Sequence, residues 1–140
     1  MDHRFIQYKN RRRYKYTLFD DYRHETGITP LHAITTRFID LDMSGMLTIK
    51  KNYAWDGASG PVLDTKRIMR GSLVHDALYQ LMRDGYLPAT FRATADLELH
   101  RLCREDGMSK FRAWYVLCAV RKFADFAASP ESRKPVSEAP

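Results

Sequence analysis

His75 and Asp76 stand side by side in Gly71-Ser72-Leu73-Val74-His75-Asp76-Ala77-Leu78-Tyr79, with Tyr79 four residues after His75. At helical pitch His75 and Tyr79 share a face, while Asp76 projects about 100° away. Imidazole can activate a water near neutral pH, and a carboxylate beside it can hold a cation. The plainer alternative is a histidine bonded to a backbone carbonyl, with its neighbouring aspartate in solvent. A second segment, Thr94-Ala95-Asp96-Leu97-Glu98-Leu99-His100, sets Asp96 beside the apolar Ala95 and Leu99. A carboxylate there can accept the hydrogen bond of His75 and hold its tautomer, which is what the third group does for an activated histidine. Asp96 and His100, four residues apart, can equally make half of a metal site or pair on a wet face. The third segment, Tyr53-Ala54-Trp55-Asp56-Gly57-Ala58-Ser59-Gly60-Pro61, permits positive φ at its glycines and can turn carbonyls or amides toward one point. The same residues also read as the turn that ends a hairpin.

These segments need elements to carry them. Residues 35–42 and 46–51 alternate apolar with polar side chains around Met43-Ser44-Gly45, which predicts a β-hairpin, and a further strand is expected from Tyr14 to Phe19. From Asp64 onward the punctuation becomes helical. Asp64 or Thr65 can cap a first helix running to about Asp84, ended by Gly85, with Ile68, Leu73, Leu78, Leu81 and Met82 as its apolar surface. A second helix is expected from Pro88-Ala89-Thr90 to about Glu105, with Phe91, Ala95, Leu99 and Leu102 recurring at helical spacing and Gly107 behind it. The short connection makes these two antiparallel partners. Ser109 caps a third helix, in which Phe111, Tyr115, Cys118 and Phe123 are expected to close the core. The fold class is therefore α+β: a small N-terminal antiparallel β region followed by three helices, the first two antiparallel and carrying the His-Asp-x-x-Tyr and Ala-Asp motifs. One domain is expected over residues 1–128, with a disordered tail over 129–140 that holds three of the chain's six prolines.

Composition narrows the classes further. Hydrophobic residues make up 44% and charged residues 29% of the 140, so a membrane bundle or a wholly disordered chain is excluded. The longest apolar run, Ala113 to Val120, has eight residues. A spanning helix requires about 20, and no apolar stretch follows Met1-Asp2-His3-Arg4 as a signal peptide demands. The two cysteines, Cys103 and Cys118, form neither a disulfide framework nor a Cys-x-x-Cys knuckle. A net charge of +6 favours phosphate-bearing surfaces, either nucleic acid or anionic lipid. Part of it lies in Lys9-Asn10-Arg11-Arg12-Arg13-Tyr14-Lys15-Tyr16, where cations alternate with aromatics. Such a run can hold phosphates and stack on bases, but it also reads as a strand whose charges protect an edge. No reading helix or aromatic platform accompanies it, which argues against nucleic acid as the partner.

Asp56-Gly57-Ala58-Ser59 with Pro61, then Leu73-Val74-His75-Asp76-Ala77-Leu78-Tyr79, Ala95-Asp96 and Ala119-Val120-Arg121-Lys122-Phe123 together resemble a family of tailed-phage and prophage proteins known only as a domain of unknown function. The likeness spans roughly residues 35–125 and implies a viral or prophage origin, hence the host cytoplasm or the virion, with other phage proteins as partners. It implies no activity. A narrower resemblance, to phospholipases A2 and especially the disulfide-free viral forms, is chemically richer. It implies His75 as general base, Asp96 as the group that orients it, Tyr79 as hydrogen-bonding support and Asp76 as calcium ligand. Backbone carbonyls near Trp55, Gly57 and Ser59 would complete the calcium site, and a phospholipid or membrane surface would be the partner. Asp56 has no standard place in that family's loop and would be an added carboxylate. Trp55, Tyr86 and Leu87 are the candidates for an apolar rim facing lipid.

Two rival chemistries use the same residues. Asp56, His75, Asp76, Asp96 and His100 can ligate zinc or manganese to activate water for phosphoester or amide hydrolysis. Alternatively no cofactor is needed, and His75, Tyr79 and Asp96 form a buried brace between helices of a non-catalytic virion or assembly protein.

Overall fold

The computed structural model describes residue 6 and residues 8–10, 16–56 and 66–127. These fall into two compact units, the first ending at Asp56 and the second taking up the residues from 66 onward. The helix cap at Asp64 or Thr65, the Arg11-Arg12-Arg13 run and the C-terminal tail lie outside the described residues.

The first unit is antiparallel β. Strands β1 (Tyr8–Asn10), β2 (Tyr16–Leu18) and β7 (Ala54–Trp55) make one sheet, in the order β1-β2-β7. Strands β3 (Tyr22–Glu25), β4 (Ile34–Thr35), β5 (Ile39–Leu41) and β6 (Met46–Ile49) make another, in the order β3-β6-β5-β4. The expected hairpin is β5–β6, with Ile39 opposite Ile49 and Leu41 opposite Leu47. Alternation sets its faces: Ile39, Leu41, Leu47 and Ile49 are buried. At its turn Oδ1 of Asp42 accepts the Ser44 and Met46 amides, both at 2.9 Å, and the Ser44 hydroxyl at 2.6 Å. Gly45 sits at φ 97°, where an added Cβ would come within 2.7 Å of the Thr26 carbonyl oxygen. The strand expected over Tyr14 to Phe19 is β2. Strand β7 falls where the sequence suggested only a turn, because two residues are too few to display an alternation.

The second unit is helical. Helix α1 (Lys66–Arg83) ends before Gly85, whose φ of 82° reverses the chain and lets the Tyr86 amide reach the Leu81 carbonyl at 2.9 Å. A 3-10 turn (Ala89–Phe91) leads into α2 (Arg92–Glu105), which stops before Gly107 at φ 99°. Helix α3 (Lys110–Ala127) begins behind Ser109, whose hydroxyl accepts the Arg112 amide at 3.2 Å. Arg70, early in α1, meets Glu105 and Asp106 at the end of α2, whereas the later His75 and Tyr79 meet Asp96. The pair is therefore antiparallel, as the short connection requires.

The core of this unit gathers Ile68 of α1, Leu99 and Cys103 of α2, and Ala113, Val116, Ala119 and Val120 of α3 around Met108. Each large apolar side chain so buried contributes about 1.5–3 kcal/mol. Here one expectation is corrected. Helix α3 turns Ala113, Val116, Leu117 and Val120 inward, while Phe111 is 73% and Tyr115 46% exposed and Cys118 is exposed too. The smaller stripe allows α3 to approach α2 closely, and the aromatic stripe is left outside. Among the described residues no helix is long and apolar enough to cross a membrane.

Candidate functional site

The helix pair is built to come close at one level. Gly71 lies where a Cβ would stand 2.8 Å from Cδ1 of Leu99, 3.3 Å from its carbonyl oxygen and 3.4 Å from Sγ of Cys103. One turn further along α1 comes His75, and three residues before Leu99 on α2 comes Asp96. The small residues Gly71 and Ala95 thus let two polar side chains meet directly.

Nε2 of His75 lies 2.7 Å from Oδ1 of Asp96, and the Tyr79 hydroxyl donates to the same oxygen at 2.7 Å. An ionised carboxylate can only accept, so Nε2 carries the hydrogen and the neutral ring keeps its lone pair on Nδ1. That nitrogen faces Asp76, whose Oδ1 is 4.0 Å away. The rings of His75 and Tyr79 lie against each other, 4.3 Å between centroids and tilted by 30°. Asp96 is buried at 2% exposure, His75 retains 12% and Asp76 26%, so the cluster opens outward from Asp96 through the imidazole to Asp76. Burial by itself would depress the His75 pKa, but hydrogen bonding and the charges of Asp76 and Asp96 outweigh it and raise the value above that of an ordinary histidine. Burial and the hydrogen bond to Asp96 push the Tyr79 phenol well above its usual range, which keeps it a donor.

A second polar cluster braces the helices. The Arg70 guanidinium, 4% exposed, grips Asp106 through Nε (3.1 Å) and Nη2 (3.0 Å) and reaches Glu105 from Nη2 at 2.7 Å. The sequence reading passed over both Arg70 and the structural use of Gly71. A glycine one turn before a candidate site residue was the available signal for a close helix approach.

Of the remaining candidates, His100 is partly exposed on α2 and makes no hydrogen bond with Asp96. Trp55 and Asp56 belong to the β unit, where the Trp55 indole is buried against Tyr16 and Tyr53, at centroid distances of 5.5 and 6.4 Å. Gly57 and Ser59 lie outside the described residues. Trp55 and Leu87, each 2% exposed, cannot serve as a rim facing lipid, whereas Tyr86 is 53% exposed. Among the described residues, no three His, Cys, Asp or Glu side chains come together as a group able to hold a metal ion. The chain matches no family model, no curated protein and no solved structure.

Proposed function

We propose that the chain is a phage-encoded, calcium-dependent lipid ester hydrolase of phospholipase A2 type. The observation that supports it is the convergence of His75 Nε2 and the Tyr79 hydroxyl on one buried oxygen of Asp96, which leaves Nδ1 of His75 directed toward Asp76. In this reading Nδ1 takes a proton from water as the water attacks the ester carbonyl. Asp96 holds the ring and stabilises the imidazolium that forms, and the same nitrogen then returns its proton to the leaving alcohol. Tyr79 fixes the carboxylate so that it cannot swing away from the ring. Asp76 fits a calcium ligand by its chemistry, a carboxylate one-quarter exposed beside the base. What a divalent cation supplies at such a carboxylate is positive charge for the oxyanion that develops on the substrate.

The test is fatty-acid release from phospholipid with added calcium, comparing the wild type with His75→Gln, alongside calorimetric calcium titration of Asp76→Asn. The hydrolase reading expects release that His75→Gln lowers by about 10²–10⁴-fold, and calcium binding that Asp76→Asn abolishes. Release unchanged by His75→Gln, or calcium binding unchanged by Asp76→Asn, would overturn it.

A second reading draws on the near-complete burial of Asp96. The same two hydrogen bonds tie α1 to α2, which suits a brace in a non-catalytic virion or assembly component. It expects no esterase activity and a large loss of stability in His75→Ala, whereas a catalytic histidine can often be removed with little loss.

A further inference from the structure

We propose that the exposed face of α3 is a docking surface for an anionic lipid bilayer. Phe111, Trp114 and Tyr115 are 73%, 57% and 46% exposed, and they share one arc of the helix with Cys118 through spacings of three and four residues. The Phe111 and Trp114 rings stand 6.2 Å apart, so the arc is a continuous aromatic ridge. Lys110, Arg112, Arg121 and Lys122 surround it, all exposed, and none forms an ion pair among the described residues. No acidic residue occurs from Lys110 to Lys122.

Large amphipathic rings flanked by snorkelling cations are what the headgroup layer of a bilayer accepts. Charge decides against the competing occupant. A second copy docked through this face in a two-fold contact would set one cation cluster against another, with no carboxylate on the described face to answer it. An anionic bilayer answers all four cations at once. The proposal deepens the reading above by naming the surface on which the ester is met, but the argument from α3 stands on residues that take no part in the His75 cluster.

Vesicle co-sedimentation at low salt tests it, comparing phosphatidylcholine alone with an equal mixture of phosphatidylcholine and phosphatidylglycerol. Binding to the mixture is expected, weakened by salt and by about fivefold for each of Lys110, Arg112, Arg121 and Lys122 changed to Gln. Trp114 emission should shift to the blue on binding, and the shift should vanish in Trp114→Phe, because Trp55 is already buried. The double change Phe111→Ser with Trp114→Ser should weaken binding by about tenfold or more. His75→Gln should bind like the wild type, so loss of hydrolysis and loss of docking are read separately. No binding to the mixed vesicles, or binding that the four Gln changes leave untouched, would overturn the proposal. So would a concentration-dependent dimer in sedimentation velocity that Phe111→Ser with Trp114→Ser dissolves, since the face would then belong to a second copy.

Discussion

Gly71 on α1 stands so close to Leu99 on α2 that a methyl group at its Cα would come within 2.8 Å of the leucine Cδ1 and 3.3 Å of the leucine carbonyl oxygen. The side-chain end can move, but the carbonyl belongs to the α2 backbone and cannot yield without shifting the helix. Gly71→Ala should therefore gain helix propensity of about 1 kcal/mol and still destabilise, with a net loss of about 1–3 kcal/mol. Gly71→Val should lose more. Urea denaturation measures both, and the imidazole NMR signal of His75 should shift as the helices part.

Removing the Tyr79 hydroxyl isolates the second support of Asp96. Tyr79→Phe should cost about 1.5–3 kcal/mol, as expected for a buried hydrogen bond to a charged acceptor. A double-mutant cycle with His75→Gln should show coupling, because both donors end on one oxygen. Additive effects would mean that the two hydrogen bonds act independently.

In metal-free protein the imidazole of His75 should titrate above the ordinary histidine value of about 6.5. Burial works against this, and the hydrogen bonds and charges of Asp76 and Asp96 prevail. The sign for stability follows from the raised folded value. The contribution is fully present below about pH 6.5 and is lost as the pH climbs through the folded-state pKa. Asp76→Asn should lower that midpoint, which a heteronuclear NMR titration of the ring would register. Because the base must be neutral to accept a proton, hydrolysis should rise with pH, at a midpoint below the metal-free one once calcium offsets the Asp76 charge.

Arg70 is nearly buried while its acceptors are less so, Glu105 at 39% and Asp106 at 15% exposure. Arg70→Ala should therefore cost about 2–3 kcal/mol, somewhat less than breaking a fully buried ion pair. Arg70→Lys should recover little of it, since an ammonium cannot reproduce the fork on Asp106. Thermal and urea unfolding of the two variants provide the check.

The cysteines should differ sharply toward a thiol reagent. Burial, reinforced by the negative charge of Asp106, pushes the Cys103 thiol up to about 12, whereas Cys118 is exposed. One thiol should react in native protein and the second only after unfolding. Rapid modification of both under native conditions would show that α2 and α3 open readily.

Local chemistry made a good part of this protein legible from its residues. The four-residue step from His75 to Tyr79 puts both on one helix face, and Gly85 and Gly107 stop α1 and α2 because only glycine takes their positive φ without strain. The β5–β6 hairpin was likewise readable, since alternation and a glycine turn act within a dozen residues. Strands β3 and β7, four and two residues long, were not, because their hydrogen bonds depend on partners distant in sequence. The sequence proposed that Asp96 meets His75, but the meeting rests on the register of α1 against α2. That register is decided by the space at Gly71 and by the grip of Arg70 on Asp106. Most of all, helical periodicity on α3 offered two apolar stripes, and nothing local distinguishes them. Packing chose the smaller one, Ala113, Val116 and Val120, because it fits closely against Ile68 and Leu99, and so Phe111, Trp114 and Tyr115 were left facing outward.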